Sequence, residues 1–290
     1  MSLPEQPTQV AERMVSLNGG IVGENQASIS PFDHGLTVGD GVFETLRTFG
    51  GRLFAWRRHY ERLKRSADVM GIAIEGADTL RSWAEELMGV QPFAESRLRI
   101  TVTGGLAPPS TARGEGPSTT LITVSELGRI PSISQVITVP WARNDQGALV
   151  GLKTTSYGEN VRALRRAYEQ GASEALFPNT RGELCEGTGS NVFVVRDGQL
   201  STPPLSSGCL AGITRSLVLE LSSELGMEVK QDPLPMQSLA GADEAFLSST
   251  IRCVQAIEKV DGQSLPVIDG PITARLAEAF AALVERDLDP

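Results

Sequence analysis

Cys185-Glu186-Gly187-Thr188-Gly189-Ser190-Asn191-Val192-Phe193-Val194-Val195 is the stretch on which the fold turns. Gly187 and Gly189 suggest a dinucleotide-binding loop. The third glycine is missing, however, and Val192 to Val195 reads as a strand where such a loop must feed a helix. A doubly wound nucleotide-binding fold is excluded on that ground. Gly39-Asp40-Gly41 also runs into a strand, and neither a phosphate-loop lysine motif nor a Gly-x-Ser-x-Gly elbow is present.

Outward from this stretch the pattern is mixed. Towards the N-terminus, Met14–Leu17 and Ile21-Val22 flank Asn18-Gly19-Gly20 as a hairpin. Val42–Phe49 and Arg52–Ala55 are strand-like around Gly50-Gly51. Trp56, Tyr60, Leu63, Ala67 and Met70 recur at helical spacing, and Gly71 ends that helix. A second helix over Leu80–Met88 and strands over Arg97–Thr103 and Thr119–Val124 follow. Beyond Gly128, strands are expected at Val136–Val139, Glu174–Phe177, Gly182–Cys185, Asn191–Val195, Gln199–Ser201, Met227–Lys230 and Glu244–Ser248. Helices are expected at Val161–Gln170, Ile213–Leu225 and Ile272–Arg286. The fold class is therefore α/β (α+β) in two lobes. Residues 1–13 form a loose tail, 14–127 a small N-terminal domain, 128–134 a linker and 135–290 a larger C-terminal domain with antiparallel sheets and flanking helices.

Thirty-five acidic against 26 basic side chains leave a net charge of −9. That speaks against nucleic acid and anionic membranes as partners. No apolar run approaches a membrane span, and no signal peptide is visible, so a cytoplasmic location is expected. Cys185, Cys209 and Cys253 are widely spaced, and with His34 and His59 the only histidines no metal site is expected.

Four positions carry candidate chemistry, each with a plainer reading beside it. Lys153 closes the apolar stretch Ala148-Leu149-Val150-Gly151-Leu152. At the end of a buried strand its amine would lose charge and become nucleophilic; otherwise its stem lies on apolar surface with the ammonium in water. Glu186 could hold a protonated ring nitrogen or cap a turn. Gly212-Ile213-Thr214 opens a helix whose free amides could seat a phosphate, or is a simple helix start. Arg62 could bind that phosphate bidentately or sit on a solvated helix face.

In their order along the chain, Arg62, Lys153, Glu186, Gly212-Ile213-Thr214 and Ser248-Ser249-Thr250 resemble the class IV pyridoxal-phosphate aminotransferases. That group includes branched-chain and D-amino-acid aminotransferases and aminodeoxychorismate lyase. The resemblance covers residues 14–286 and rests on His59-x-x-Arg62-Leu63, Leu152-Lys153-Thr154, Glu186-Gly187-x-x-x-Asn191-x-Phe193 and Leu210-x-Gly212-Ile213-Thr214-Arg215. It implies the fold type IV architecture and pyridoxal 5′-phosphate as cofactor. Lys153 would form the Schiff base and shuttle the proton, and Glu186 would keep the pyridine nitrogen protonated. Tyr157 would donate to the ring hydroxylate. Arg62, Ile213, Thr214 and Thr250 would hold the phosphate, and Asn191 would order the loop carrying Glu186. The expected partners are an amino donor and a keto-acid acceptor, and the expected assembly is a homodimer whose site is completed across the interface. The implied activity is transamination, with aminodeoxychorismate lyase, releasing pyruvate and 4-aminobenzoate, as the alternative.

The substrate is not identified by these motifs. Gly39 to Thr45 resembles the lyases and D-amino-acid enzymes, whereas Thr103-Gly104-Gly105-Leu106 lacks the arginine and histidine of the latter. Arg99, which aligns with an arginine of branched-chain members, Arg113 in the glycine-rich loop 104–117, and Ile251 are the candidate substrate contacts. Arg113, the sole cation of a loop expected to be mobile, is expected to swing in on a substrate carboxylate.

Overall fold

The computed structural model describes residues 12–290; most of the expected N-terminal tail lies outside them. The strands are β1 (Met14–Leu17), β2 (Gly20–Gly23), β3 (Gly41–Phe49), β4 (Arg52–Leu53), β5 (Ser96–Thr103), β6 (Thr119–Glu126), β7 (Ile133–Thr138), β8 (Glu174–Pro178), β9 (Leu184–Gly187), β10 (Asn191–Arg196), β11 (Gln199–Ser201), β12 (Val229–Lys230), β13 (Glu244–Ser249), β14 (Cys253–Val260) and β15 (Gln263–Ser264). The helices are α1 (His34–Val38), α2 (Trp56–Met70), α3 (Ala77–Val90), α4 (Gly158–Glu169), α5 (Ile213–Glu224), α6 (Gln237–Ala240) and α7 (Pro271–Arg286).

Two sheets organise the molecule. The first runs β2-β1-β6-β5-β3-β4, antiparallel throughout. Alternation along β3 places Val42 and Leu46 in its core, where α2 and α3 cover them with Leu63, Ala67, Leu80 and Leu87. The second runs β12-β11-β10-β13-β14-β7-β8-β9, with β15 on β14. It mixes antiparallel pairs with parallel ones at β14/β7, β7/β8 and β11/β12. Its β10–β13 pair stacks Phe193 on Phe246, with ring centroids 4.7 Å apart, beneath Leu217 and Leu221 of α5 and Leu276 and Phe280 of α7.

Several expectations shift. β7 begins at Ile133, inside the expected linker, because it pairs in parallel with Ala256 of β14. β9 starts two residues later than the spacing suggests and so carries Glu186 itself. β14 was not expected at all: Lys259 and Glu258 interrupt its apolar pattern, and only pairing on both sides makes it a strand. Ala148 to Leu152 is not a strand either. It forms turns, with Leu149 43% exposed.

What holds Lys153 instead is β3. Phe43 N–H donates to the Lys153 carbonyl at 3.0 Å, Thr155 N–H donates to Gly41 O at 2.9 Å, and Val42 and Thr154 form an antiparallel bridge. The lysine segment thus extends the edge of the first sheet, although it lies in sequence among the elements of the second.

Candidate active site

A cavity of about 620 Å³ opens between the two sheets. Its wall includes Arg62, Lys153, Tyr157, Glu186, the start of α5 and Ser248 to Thr250. Five of the segments singled out by sequence therefore meet on one surface.

Lys153 projects its Nζ to 4.5 Å from the centre of the Phe43 ring and 3.4 Å from the Tyr157 hydroxyl. Burial pushes the amine down to about 8, aided by the like charges of Arg62 and Arg99. Near that pH half of the population carries a neutral amine, the form in which a lysine can act as a nucleophile. Tyr157 stands at the threshold of α4, edge-on to Phe43 with ring centroids 5.0 Å apart. Burial and the nearby Glu186 push its phenol up to about 12, so it keeps its proton, and its oxygen accepts from Lys153 Nζ.

Glu186 faces these two from β9. Leu210 N–H donates to its Oε2 at 2.9 Å, and Arg143 Nε lies 3.4 Å from its Oε1. Burial raises the carboxyl, while Arg143, the Leu210 amide and Lys153 oppose that shift. Asn191 Nδ2 donates to Leu210 O at 2.9 Å, gripping the other side of the residue that holds Glu186. Asn191 also lies against Gly212 so closely that any Cβ there would collide with its Oδ1.

Arg62 is 5% exposed and does not face solvent. Its Nε and Nη2 donate to the two oxygens of Glu44 at 2.7 and 2.8 Å, and its Nη1 donates to Ala211 O at 3.0 Å. His59 Nδ1 meets Glu44 Oε2 at 2.7 Å. Burial alone would raise the Glu44 carboxyl, but the Arg62 guanidinium overrides it and holds the group far below the usual carboxylate range. Beside Arg62, just past Ala211, α5 starts at Ile213 after an extended Gly212, with no side-chain cap. The amides of Ile213 and Thr214 therefore have no partner within the helix, and helix starts of this kind attract anions. Thr250 follows β13 on the same wall.

One buried polar atom in this wall, Ser248 Oγ, makes no hydrogen bond, and Arg143 Nε has only its ion-pair contact with Glu186. Buried groups without partners are rare, and the Ser248 hydroxyl marks a wall shaped for a polar ligand. An amine, a phenol, a carboxylate and a guanidinium beside a free helix start match the aldehyde, ring oxygen, ring nitrogen and phosphate of pyridoxal phosphate.

The candidate substrate residues are placed differently. Arg99 on β5 stacks its guanidinium over Phe43 at 3.6 Å and donates to Thr101 Oγ1 at 3.1 Å. Burial lowers its pKa, and among the described residues no carboxylate forms an ion pair with it. Arg113 donates to Asp40 Oδ2 at 2.8 Å and Oδ1 at 2.6 Å, and to Gly71 O at 2.6 Å. His34 joins Asp40 to Ser110 O from its two ring nitrogens, at 2.8 and 2.9 Å. The 104–117 loop is thus pinned at both Ser110 and Arg113, where the sequence suggested a free cation on a mobile loop. Ile251 sits in the turn between β13 and β14, where its carbonyl accepts from Arg47. None of Arg99, Arg113 and Ile251 lines the cavity, but Arg99 shares the Phe43 ring with Lys153 at its edge.

Sequence reasoning missed Glu44, Phe43, Ser66 and Arg143. Glu44 had a signal, an acid on the inward face of β3 between Val42 and Leu46. Ser66, whose Oγ accepts from Lys153 N–H at 3.3 Å, and Arg143 had none.

The family model described as amino-transferase class IV matches residues 41–260. A Methanocaldococcus jannaschii protein assigned as a branched-chain-amino-acid aminotransferase is 33% identical over 273 residues, covering 92% of this chain and 94% of its own. D-alanine aminotransferase of Staphylococcus aureus is 30% identical over 289 residues, 93% of this chain and 98% of its own. Among solved structures, branched-chain amino acid aminotransferase of Escherichia coli superposes with a TM-score of 0.88 at 27% identity, covering 94% of both chains. A Legionella pneumophila protein assigned as 4-amino-4-deoxychorismate lyase superposes at 0.82 and 26% identity, covering 91% of this chain and 96% of its own.

Proposed function

The chain belongs to the class IV aminotransferase family and is an aminotransferase, and from that premise we propose that it works with pyridoxal 5′-phosphate bound covalently at Lys153. The observation that carries this reading is the Lys153 amine, lowered to about 8 and facing the half-buried Glu186 across one cavity. When bound, the cofactor supplies the electron sink that acidifies the Cα–H of an amino donor. The chain's own residues do the rest. Lys153 Nζ would hold the cofactor through its aldehyde, with loss of water, and as a free amine would move the proton at the donor's Cα. Glu186 holds the ring nitrogen in its protonated form, backed by Arg143 and the Leu210 amide. The Tyr157 phenol donates to the ring oxygen. Arg62, the amides of Ile213 and Thr214, and Thr250 hold the phosphate.

The donor and acceptor in this reading carry a carboxylate, received by Arg99. That guanidinium is half-buried beside Phe43, has no anionic partner among the described residues, and stands near Lys153 and Tyr157. Arg113 is already engaged by Asp40 and would have to leave a bidentate pair to serve.

A homodimer is part of the same proposal. Phe32, Leu36, Val38 and Leu106 are all about half exposed or more, and lie together where α1 adjoins the 104–117 loop through the Asp33–Leu106 bridge. An apolar patch of that kind suits a second copy of the chain. Three thiols left unpaired suit a reducing, cytoplasmic setting.

The test is direct. Protein loaded with pyridoxal phosphate and reduced with borohydride should gain the cofactor's mass on the peptide bearing Lys153, and Lys153→Ala should not. Labelling elsewhere, or none, refutes the assignment. The lyase alternative, kept in view by the Legionella neighbour, parts from transamination in one measurement. An amino acid added to the loaded enzyme converts the cofactor to pyridoxamine phosphate only in a transaminase.

A further inference from the structure

The helix that carries Arg62 is not capped by its own sequence. Ala55, the residue before α2, adopts a left-handed backbone at φ 55° and offers no side-chain acceptor. A residue other than glycine is held in that region only when its surroundings fix it. The fixing groups come from the far end of the chain. Leu288 O accepts from Ala55 N–H at 2.6 Å, and Asp289 Oδ1 accepts from Arg57 N–H at 2.9 Å. The main-chain oxygen of Pro290 accepts from Arg57 Nη2 at 3.2 Å and Arg58 Nε at 2.7 Å.

Arg58 continues the chain of contacts. Its two Nη groups donate to the two oxygens of Glu220 on α5, at 2.7 and 2.8 Å. The residues feeding α2 are themselves buried in the core of the second sheet, where Phe54 packs edge-on against Phe280 of α7 at 5.7 Å. Arg62 stands five residues beyond Arg57, and α5 begins at Ile213. The two halves of the phosphate seat therefore sit on two helices that belong to different sheets and are tied together at their backs by the Arg58–Glu220 pair, while Asp289 anchors the start of α2 to the segment that follows α7.

We propose that Asp289 and the Arg58–Glu220 pair form an interlobe clamp that sets the spacing between Arg62 and the start of α5, and thereby the affinity for the cofactor's phosphate. These are positioning residues, since none touches the cavity. The inference rests on the cofactor reading above, and its test separates the two.

Apoprotein is titrated with pyridoxal phosphate and, in parallel, with pyridoxal, which offers the same aldehyde and ring without the phosphate. Asp289→Ala should raise Kd for pyridoxal phosphate about fivefold, the effect of losing one helix cap, and leave Kd for pyridoxal within twofold. Asp289→Asn keeps a cap acceptor and should stay near wild type. Glu220→Gln should fall between the two, and amide hydrogen exchange at residues 56–59 should quicken in Asp289→Ala. Equal Kd for pyridoxal phosphate in wild type and Asp289→Ala overturns the clamp. So does an equal loss for pyridoxal, which would mark general loosening. A wild type that binds neither ligand refutes the cofactor reading and the clamp's role together.

Discussion

Replacing Glu44 by glutamine tests the most deeply buried ionic group at the site. Glu44 is 1% exposed and Arg62 5%, and two hydrogen bonds of 2.7 and 2.8 Å join them. At that separation, with an effective dielectric constant near 20, the attraction is about 6 kcal/mol. Glutamine keeps one acceptor for Arg62 but turns an NH₂ group towards the other donor and leaves the guanidinium without its counter-ion. Breaking one side of such a buried pair costs about 3–5 kcal/mol. In a chain of this size each kcal/mol moves the melting point by about 1.5–2 °C, so Glu44→Gln should melt about 5–10 °C lower. The pH dependence follows from the sign of the shift. The folded carboxyl titrates well below the unfolded one, so its stabilisation is complete above the unfolded value of about 4.3 and is lost only as pH falls towards the folded pKa. The deficit of the variant should therefore be flat from about pH 5.5 upward and shrink in stronger acid. Calorimetry across that range is the assay. A Glu44→Gln protein melting within about 2 °C of wild type at pH 7 would refute the idea that Arg62 depends on this carboxylate.

Three further outcomes follow from the same geometry. Attachment of pyridoxal phosphate to the apoprotein should accelerate with rising pH and reach half its plateau near 8, where the Lys153 amine loses its proton; stopped-flow absorbance that climbs instead to about 10.4 would show an unperturbed lysine. Glu186→Gln should still bind the cofactor but transfer the Cα proton far more slowly, since a neutral amide does not hold the ring nitrogen protonated; single-turnover rates equal to wild type would assign that duty to another group. Arg99→Ala should raise KM for a carboxylate-bearing donor at least tenfold, about 1.4 kcal/mol, with simple amines little changed, and an unaltered KM would turn attention back to Arg113.

Sequence reading located most elements because their signals were local. The helix over Trp56 to Met70 declared itself by spacing and by Gly71, and the strand at Asn191 by its unbroken apolar run. Lys153, Glu186 and Thr214 were legible through motif order, but the reason given for Lys153 was incomplete. The apolar run before it is a turn, and the support comes from β3, more than a hundred residues away. Periodicity cannot report pairing over that distance. The same limit hid β14, whose polar residues make sense only between two neighbours, and Arg143, whose meaning lies in Glu186. Arg113 shows the same limit from the other side. Composition describes a glycine- and proline-rich loop but not the Asp40 carboxylate waiting for it.

The pairing of Phe43 and Gly41 with the lysine segment bears on how members of this family can be recombined. A crossover between two relatives near residue 130 looks natural, since it falls between the sheets. It would nevertheless bring Lys153 from one parent and the strand that holds it from the other. Glu186, its partner across the cavity, would stay with the lysine, so a mismatch would appear as an altered Lys153 pKa rather than as a missing group. A chimaera that inherits residues 41–43 and 153–155 from the same parent should keep the amine tuned, whatever the source of the remaining first sheet.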